Sequence, residues 1–244
     1  MNNELLISIV TPTYNSGKTI ERTLKSVLNQ SYPKIEYIIV DGGSSDRTID
    51  FIKEYETIFF KKGYKYKYIS EKDSGIADAF NKGIELATGD YVGIVNSDDW
   101  LEKDAVRNVV DNIDEKHVVY CGELNLYDKG RLIKRRKSRS SLLWLGMYIM
   151  HPTVFVKRSL YEKYKFDTEL KISMDYDLIL QIRKNFRNGF KYIPIVISNM
   201  ELGGASADKV AMSKEELKVL KKHHHIFQFY IVLIIKHIEK ILLG

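Results

Sequence analysis

Cysteine is nearly absent: Cys121 is the single one in 244 residues. A lone cysteine closes no internal disulfide, which fits a reducing compartment. It sits in the apolar stretch 117–121 and reads as a core residue rather than a reactive thiol. Long apolar runs are absent too, since none reaches the ~18 residues expected of a membrane span. The start of the chain carries no basic segment, and the apolar run 5–10 is too short for a signal-peptide core. No internal repeat and no low-complexity linker interrupts it. The expected location is therefore cytoplasmic.

What the chain does have is a hydrophobic fraction of 44% and a formal net charge of +6. The first suffices for the packed core of one α/β domain with a tail. The second favours anionic partners: nucleotide diphosphates, acidic lipid headgroups or nucleic acid.

In residues 1–100 short apolar runs alternate with helical patterns. Residues 5–10, 35–40, 66–69 and 91–95 read as strands. Between them, 17–30 puts Ile20, Leu24, Val27 and Leu28 on one helical face, and 46–55 turns Thr48, Ile49 and Ile52 inward. A third helix over 76–87 ends before Gly89, where glycine suits a helix terminus. This alternation predicts parallel βαβ units with right-handed crossovers. Beyond residue 100 the pattern is less regular. It predicts a strand at 118–120, a hairpin over 125–133 around Asp128-Lys129-Gly130 and a helix over 175–184 with Leu178, Ile179 and Ile182 inward. A strand at 190–197, a turn at Gly203-Gly204 and helix from Ser213 onward follow. The expected division is a domain over 1–205, whose regular half ends at residue 100, then a helical tail over 206–244.

Open α/β sheets bind ligands at the C-terminal ends of their strands. Here those ends read Thr11-Pro12-Thr13-Tyr14-Asn15, Asp41-Gly42-Gly43-Ser44-Ser45-Asp46, Glu71-Lys72-Asp73 and Asn96-Ser97-Asp98-Asp99. Asp98 and Asp99 can hold a divalent ion, Mn2+ or Mg2+, that offsets charge on a diphosphate; an acidic turn capping a helix is the plain alternative. Asp41 can accept from a base or ribose, and the glycines after it admit a ligand or simply a tight turn. Tyr14 can stack on a nucleobase beside the stiffening Pro12, or cover the sheet edge. Asp78, Asn81 and Lys82 share a helix face, which is a solvated face unless Lys82 reaches a phosphate. Asp175 can act as a general base or as a helix cap.

In combination and order these segments resemble the inverting family 2 glycosyltransferases of bacterial polysaccharide biosynthesis. The matching stretches are Ile9-Val10-Thr11-Pro12-Thr13-Tyr14-Asn15, Tyr37-Ile38-Ile39-Val40-Asp41-Gly42-Gly43-Ser44-Ser45-Asp46, Glu71-Lys72-Asp73-Ser74-Gly75-Ile76-Ala77-Asp78-Ala79-Phe80-Asn81-Lys82-Gly83, Ala87-Thr88-Gly89-Asp90-Tyr91-Val92 and Asn96-Ser97-Asp98-Asp99-Trp100. The resemblance covers residues 5–205. It implies the α/β GT-A fold, with a mostly parallel central sheet flanked by helices. It implies a donor site of Thr11, Pro12, Tyr14, Asp41, Asp73 and Asp98, with Lys82 on the phosphates. It places Asp99 and Asp98 on the metal, Asp175 as catalytic base and His151 beside the acceptor. The implied reaction is metal-dependent single displacement of one hexose or N-acetylhexosamine from a nucleotide-diphosphate sugar, UDP-linked first, to a glycan acceptor on polyprenyl diphosphate. Two departures stand out: Asp41-Gly42 where the family often has two acids, and Met174-Asp175 where it often has Glu-Asp.

The tail holds an apolar run, 226–235, bordered by Lys221-Lys222 and Lys236. It can lie on an anionic leaflet as an interfacial helix, pack on the domain, or meet a second copy of the chain in a homodimer. Residues 131–139 hold six basic residues and no acid, able to dock on a membrane, grip an anionic lipid-linked acceptor, or stay solvated. His223-His224-His225 reads as a helix start rather than a metal site, because consecutive residues do not share a face. Two rival functions remain. A sugar-nucleotide-forming nucleotidyltransferase needs a glycine-rich basic loop after the first strand, where 11–17 has one glycine. A non-catalytic membrane or RNA module conflicts with the acidic strand ends, and no nucleic acid partner is expected.

Overall fold

Seven consecutive buried residues make β1 (Ile7–Thr13) in the computed structural model, which describes residues 5–203 and 209–223 with Tyr230, Ile231, Leu233, Ile234, Ile235 and Ile238. A strand covered on both faces belongs in the middle of a parallel sheet. It pairs in parallel with β2 (Ile35–Asp41) on one side and β4 (Tyr91–Ile94) on the other, and β3 (Lys65–Ser70) extends β2. β4 ends opposite Val10, so Pro12 lies where β1 keeps a neighbour on one side only.

The crossovers are the expected helices. α1 (Ile20–Leu28) buries Ile20, Leu24 and Val27. α2 (Thr48–Lys62) outruns the expected 46–55, because Phe59 enters an aromatic cluster with Tyr37, Tyr55, Tyr64 and Tyr66. It stops at Gly63, whose φ of 85° is the left-handed cap glycine accepts most easily. α3 (Ile76–Leu86) packs close on β1: a Cβ at Gly83 would lie 2.3 Å from Val10 Cγ1.

The second half adds β5 (Asp99–Leu101), α4 (Ala105–Val110), β6 (Val119–Asp128), β7 (Arg131–Lys137), β8 (Phe155–Lys157), α5 (Met174–Asn185), β9 (Phe190–Glu201) and α6 (Lys209–His223). The sheet runs β3-β2-β1-β4-β8-β6-β9-β5, with β7 paired to β6. Its second half is mixed: β8 is antiparallel to both β4 and β6, while β9 is parallel to β6. Two antiparallel steps restore direction, so β6 and β9 point the same way as β1. Their C-terminal ends share one edge of the sheet. Apolar clusters on the two faces, one around Val10, Phe80 and Ile179 and one around Ile9, Tyr37 and Phe59, form the core.

One buried charge ties the first half together. Glu36 accepts from Ser8 Oγ, Thr88 N, Thr88 Oγ1 and Lys67 Nζ. Burial alone would raise its pKa, but these donors outweigh it and hold the carboxyl below the usual range.

The expected boundary at residue 205 lies outside the described residues. α6, beyond it, is part of the domain, since Val219 and Leu220 are buried in its core. Gly204, His224, His225 and half of the tail's apolar run are likewise outside the described residues.

Candidate active site

At the C-terminal edge of the sheet opens a cleft of about 800 Å3. The end of β1 and the loop after it supply Pro12, Tyr14 and Lys18, the start of α3 supplies Ile76 and Phe80, and the β4–β5 turn and first residue of β5 supply Asn96, Asp98 and Asp99. His151, Lys171, Asp175 and Glu201 come from the second half of the chain.

The acidic pair is buried in steps. Asp98 is half-buried, and Arg22 donates to its carbonyl at 2.8 Å while lying over the Trp100 ring. Asp99, the first residue of β5, is 1% exposed. Its Oδ2 accepts from Asn96 Nδ2 at 3.2 Å, and its Oδ1 is buried with no hydrogen-bond partner. Burial, and then the charge of Asp98, push its carboxyl well above the ordinary range. The pair could hold a cation: Asp99 Oδ1 is buried without a partner, and Asp98 and Asp99 line the same cleft. No group of three or more His, Cys, Asp or Glu side chains gathers among the described residues, so other positions on an ion would fall to diphosphate and water oxygens.

Asp175 stands in the first turn of α5. Burial, reinforced by the charges of Glu216 and Glu215, raises it to about 7. Its Oδ1 accepts the Tyr176 amide. Asp177, two residues on, is unavailable: it is fully buried and held by Gln181, Lys222 and His223. The loop before α5 is clamped from α6. Glu215 accepts from the amides of Lys171 at 2.9 Å and of Ile172 and Ser173 at 2.6 Å each. His151 packs on Phe80 and Phe166, and burial lowers it to about 4, so its imidazole is neutral at physiological pH.

Asp73 lines the cleft and accepts the Gly75 amide at 2.9 Å. Its position depends on Gly42, where an added Cβ would stand 2.7 Å from Asp73 Oδ2. The departure Asp41-Gly42 thus makes room for another carboxylate. Tyr14 is 66% exposed at the mouth. Beside it Asn15 adopts φ 48° and joins the two loops, accepting from Ser45 N and donating its own amide to Ser44 Oγ.

Pro12, Tyr14, Asp73, Asp98, Asp99, His151 and Asp175 therefore meet in one cleft. Three expected donor-site residues are not on its wall. Thr11 is buried within β1 and accepts from Tyr37 OH. Asp41 ends β2, one strand away, and closes on Ser44 and Ser70. Lys82 is drawn to Glu71 at 2.7 Å and Asp78 at 3.3 Å. The wall's lysines are Lys18 and Lys171. Nothing in the spacing around Lys171 marks it; the loop before α5 brings its Nζ close to Gly75, just before α3.

A sequence profile of glycosyl transferase family 2 matches residues 8–188. Chondroitin synthase of Escherichia coli is 30% identical over 227 residues, 90% of this chain and 31% of that protein. Hyaluronan synthase of Pasteurella multocida is 29% identical over 234 residues, 93% of this chain and 23% of that one. The chain spans about a third or less of the length of these relatives. Among solved structures, S. aureus TarS 1-349 in complex with UDP-GlcNAc matches with a TM-score of 0.66 at 22% identity, over 88% of this chain and 64% of that one. Mannosyltransferase PcManGT from Pyrobaculum calidifontis, in complex with GDP-Man and Mn2+, matches at 0.71 and 19% identity, over 91% of this chain and 64% of that one. At such identities these two speak for the fold alone. With the profile spanning most of its length and a 30%-identical relative along 90% of it, the chain belongs to glycosyl transferase family 2 and has the GT-A fold.

Proposed function

We propose that this chain transfers one hexose or N-acetylhexosamine from a nucleotide-diphosphate sugar, UDP-linked first, to a glycan acceptor on polyprenyl diphosphate, with inversion, in cell-surface polysaccharide biosynthesis. The observation that carries this reading is a single cleft holding both the buried pair Asp98 and Asp99 and a carboxyl, Asp175, raised to about 7. The polysaccharide synthases among its relatives support the product class. The nucleotide sugars in the two structural relatives support the donor class.

Asp99 and Asp98 would hold Mn2+ or Mg2+, which when bound neutralises charge on the diphosphate. Tyr14 stacks on the base, and Asp73 accepts from base or ribose. Asp175 takes the proton of the acceptor hydroxyl. A pKa near 7 suits it to both hold and release that proton at neutral pH. The acceptor oxygen forms its bond to the anomeric carbon as the bond to the diphosphate oxygen breaks, with inversion. Lys18 and Lys171 offset the charge that builds on the leaving group, the role first expected of Lys82. His151, neutral, offers the acceptor a hydrogen bond.

The protein works at the cytoplasmic face of the inner membrane. Tyr230, Ile234 and Ile238, four residues apart, are exposed, which supports an interfacial tail, a second copy of the chain being the competing occupant.

Calorimetric titration with UDP, GDP and dTDP, with and without Mn2+, tests the donor site. The expected result is binding of one nucleotide that needs Mn2+ and is lost in Asp99→Asn. Asp175→Asn should keep that binding and lose transfer. No nucleotide binding under any condition, or full transfer by Asp175→Asn, overturns the reading.

A further inference from the structure

The basic segment 131–139 carries six positive charges, as many as the net excess of the whole chain. In the fold it is not a solvated loop. It forms β7, the outer strand of a hairpin, and every residue of β7 is exposed. β7 pairs with β6 alone, leaving its outer edge bare among the described residues. Basic side chains on a bare edge deter strand addition, and that alone could account for the lysines and arginines. It does not account for Leu132 and Ile133, adjacent residues that are 56% and 54% exposed. Ile133 falls in a bulge: the register passes from Lys134↔Leu126 to Leu132↔Tyr127 and skips it. A bulge twists the strand end away from its neighbour.

The charges divide into two sets. Arg135 and Lys137 are held by buried Glu123. Arg131, Lys134, Arg136 and Arg139, like Lys129 in the turn, have no carboxylate partner among the described residues. The hairpin tip is also fixed relative to the cleft. Lys129 and Gly130 turn with φ of 47° and 75°, and the Gly130 amide donates to Glu201 Oε1 at 3.0 Å. Glu201 lines the cleft, so the tip stands at its rim.

We propose that the β6–β7 hairpin is a docking surface for an anionic lipid bilayer, with Arg131, Lys134 and Arg136 on the headgroups and Leu132 and Ile133 entering the interface. A soluble polyanion would match the charges but leave the two apolar side chains unexplained. The inference rests on the reading above that the acceptor is held in a membrane. A bilayer seated on the hairpin lies at the rim of the cleft and presents such an acceptor to it.

The test uses the full chain and sedimentation with vesicles of phosphatidylcholine, with or without phosphatidylglycerol. The parent should bind only the anionic vesicles. Each basic residue near such a surface tightens partitioning about fivefold, so Lys134→Ala with Arg136→Ala should weaken binding about 25-fold. Leu132→Ser with Ile133→Ser should weaken vesicle binding but leave heparin binding unchanged. UDP titration of every variant, expected to match the parent, shows that the domain is folded and reports separately on the donor site. If both variants bind vesicles as the parent does, the proposal is wrong. It is equally wrong if the charge variant loses heparin and vesicles alike while the apolar variant loses neither, because the surface then reads a polyanion.

Discussion

Asp175→Asn should make the protein almost inactive and, at alkaline pH, more stable. In the fold the Asp175 carboxyl is raised from 3.8 to about 7, first by burial and then by Glu216 and Glu215. A carboxyl whose folded pKa is raised favours the fold only while protonated. The cost is absent below 3.8, grows as pH rises and is complete above about 7. The shift corresponds to at most about 4 kcal/mol. Asp175 borders an open cleft, so solvent screening leaves about 1–3 kcal/mol. Asparagine has the same shape, keeps an oxygen for the Tyr176 amide and never charges. At about pH 8 the variant should therefore melt about 2–10 °C above the parent, and the gap should close toward about pH 4. Transfer runs the other way. The base must be deprotonated, so parental kcat/KM should fall about tenfold per pH unit below about pH 7, and the variant should lose about 10²–10⁴-fold. Thermal denaturation across pH and a transfer assay read the two effects. A melting gap that does not change with pH, or a variant that turns over normally, would refute the reasoning.

Three further outcomes follow from the packing. Glu215→Ala strips three amides of their acceptor and frees the loop that carries Lys171; we expect about 2–4 kcal/mol of lost stability and roughly tenfold slower transfer with weaker UDP binding, read by denaturation and calorimetry. Glu36→Ala should cost about 3–5 kcal/mol in urea denaturation, since Ser8, Thr88 and Lys67 lose their common acceptor. Because the Glu36 pKa is lowered in the fold, its contribution is present above its ordinary value of 4.5 and disappears as pH falls below it. Gly42→Ala should displace Asp73, whose Oδ2 lies 2.7 Å from the new Cβ, and weaken nucleotide binding about tenfold, the worth of one hydrogen bond, with little change in melting temperature.

The first hundred residues were legible because their signal is local. Apolar residues recur at helical or strand spacing, and the four polar strand ends follow in order. The reading faltered where tertiary contact replaces periodicity. α2 continues past Tyr55 through a stretch in which Phe59 turns inward while Ile58 and Phe60 stay exposed. β5 is three residues long and exists because Trp100 pairs with Asn199, a hundred residues on. β9 runs to Glu201 rather than stopping at 197, since β6 and β5 flank it.

The acids were readable for the same local reason: Asp98 and Asp99 follow the end of a buried strand and Asp175 opens a helix, positions the pattern marks. Which charges meet was not. Lys82 shares a helix face with Asp78 and is caught by it and by Glu71, whereas Lys171, unmarked in sequence, reaches the cleft wall. Asp177 looks as free as Asp175 until α6 brings Lys222 and His223 onto it. The sequence by itself determined the α/β alternation, the buried strands and the acidic strand ends, because those depend on neighbours within a turn or two. Tertiary structure alone decided which carboxylates stay unpaired, since ion pairing and desolvation depend on groups tens of residues away whose approach only packing sets.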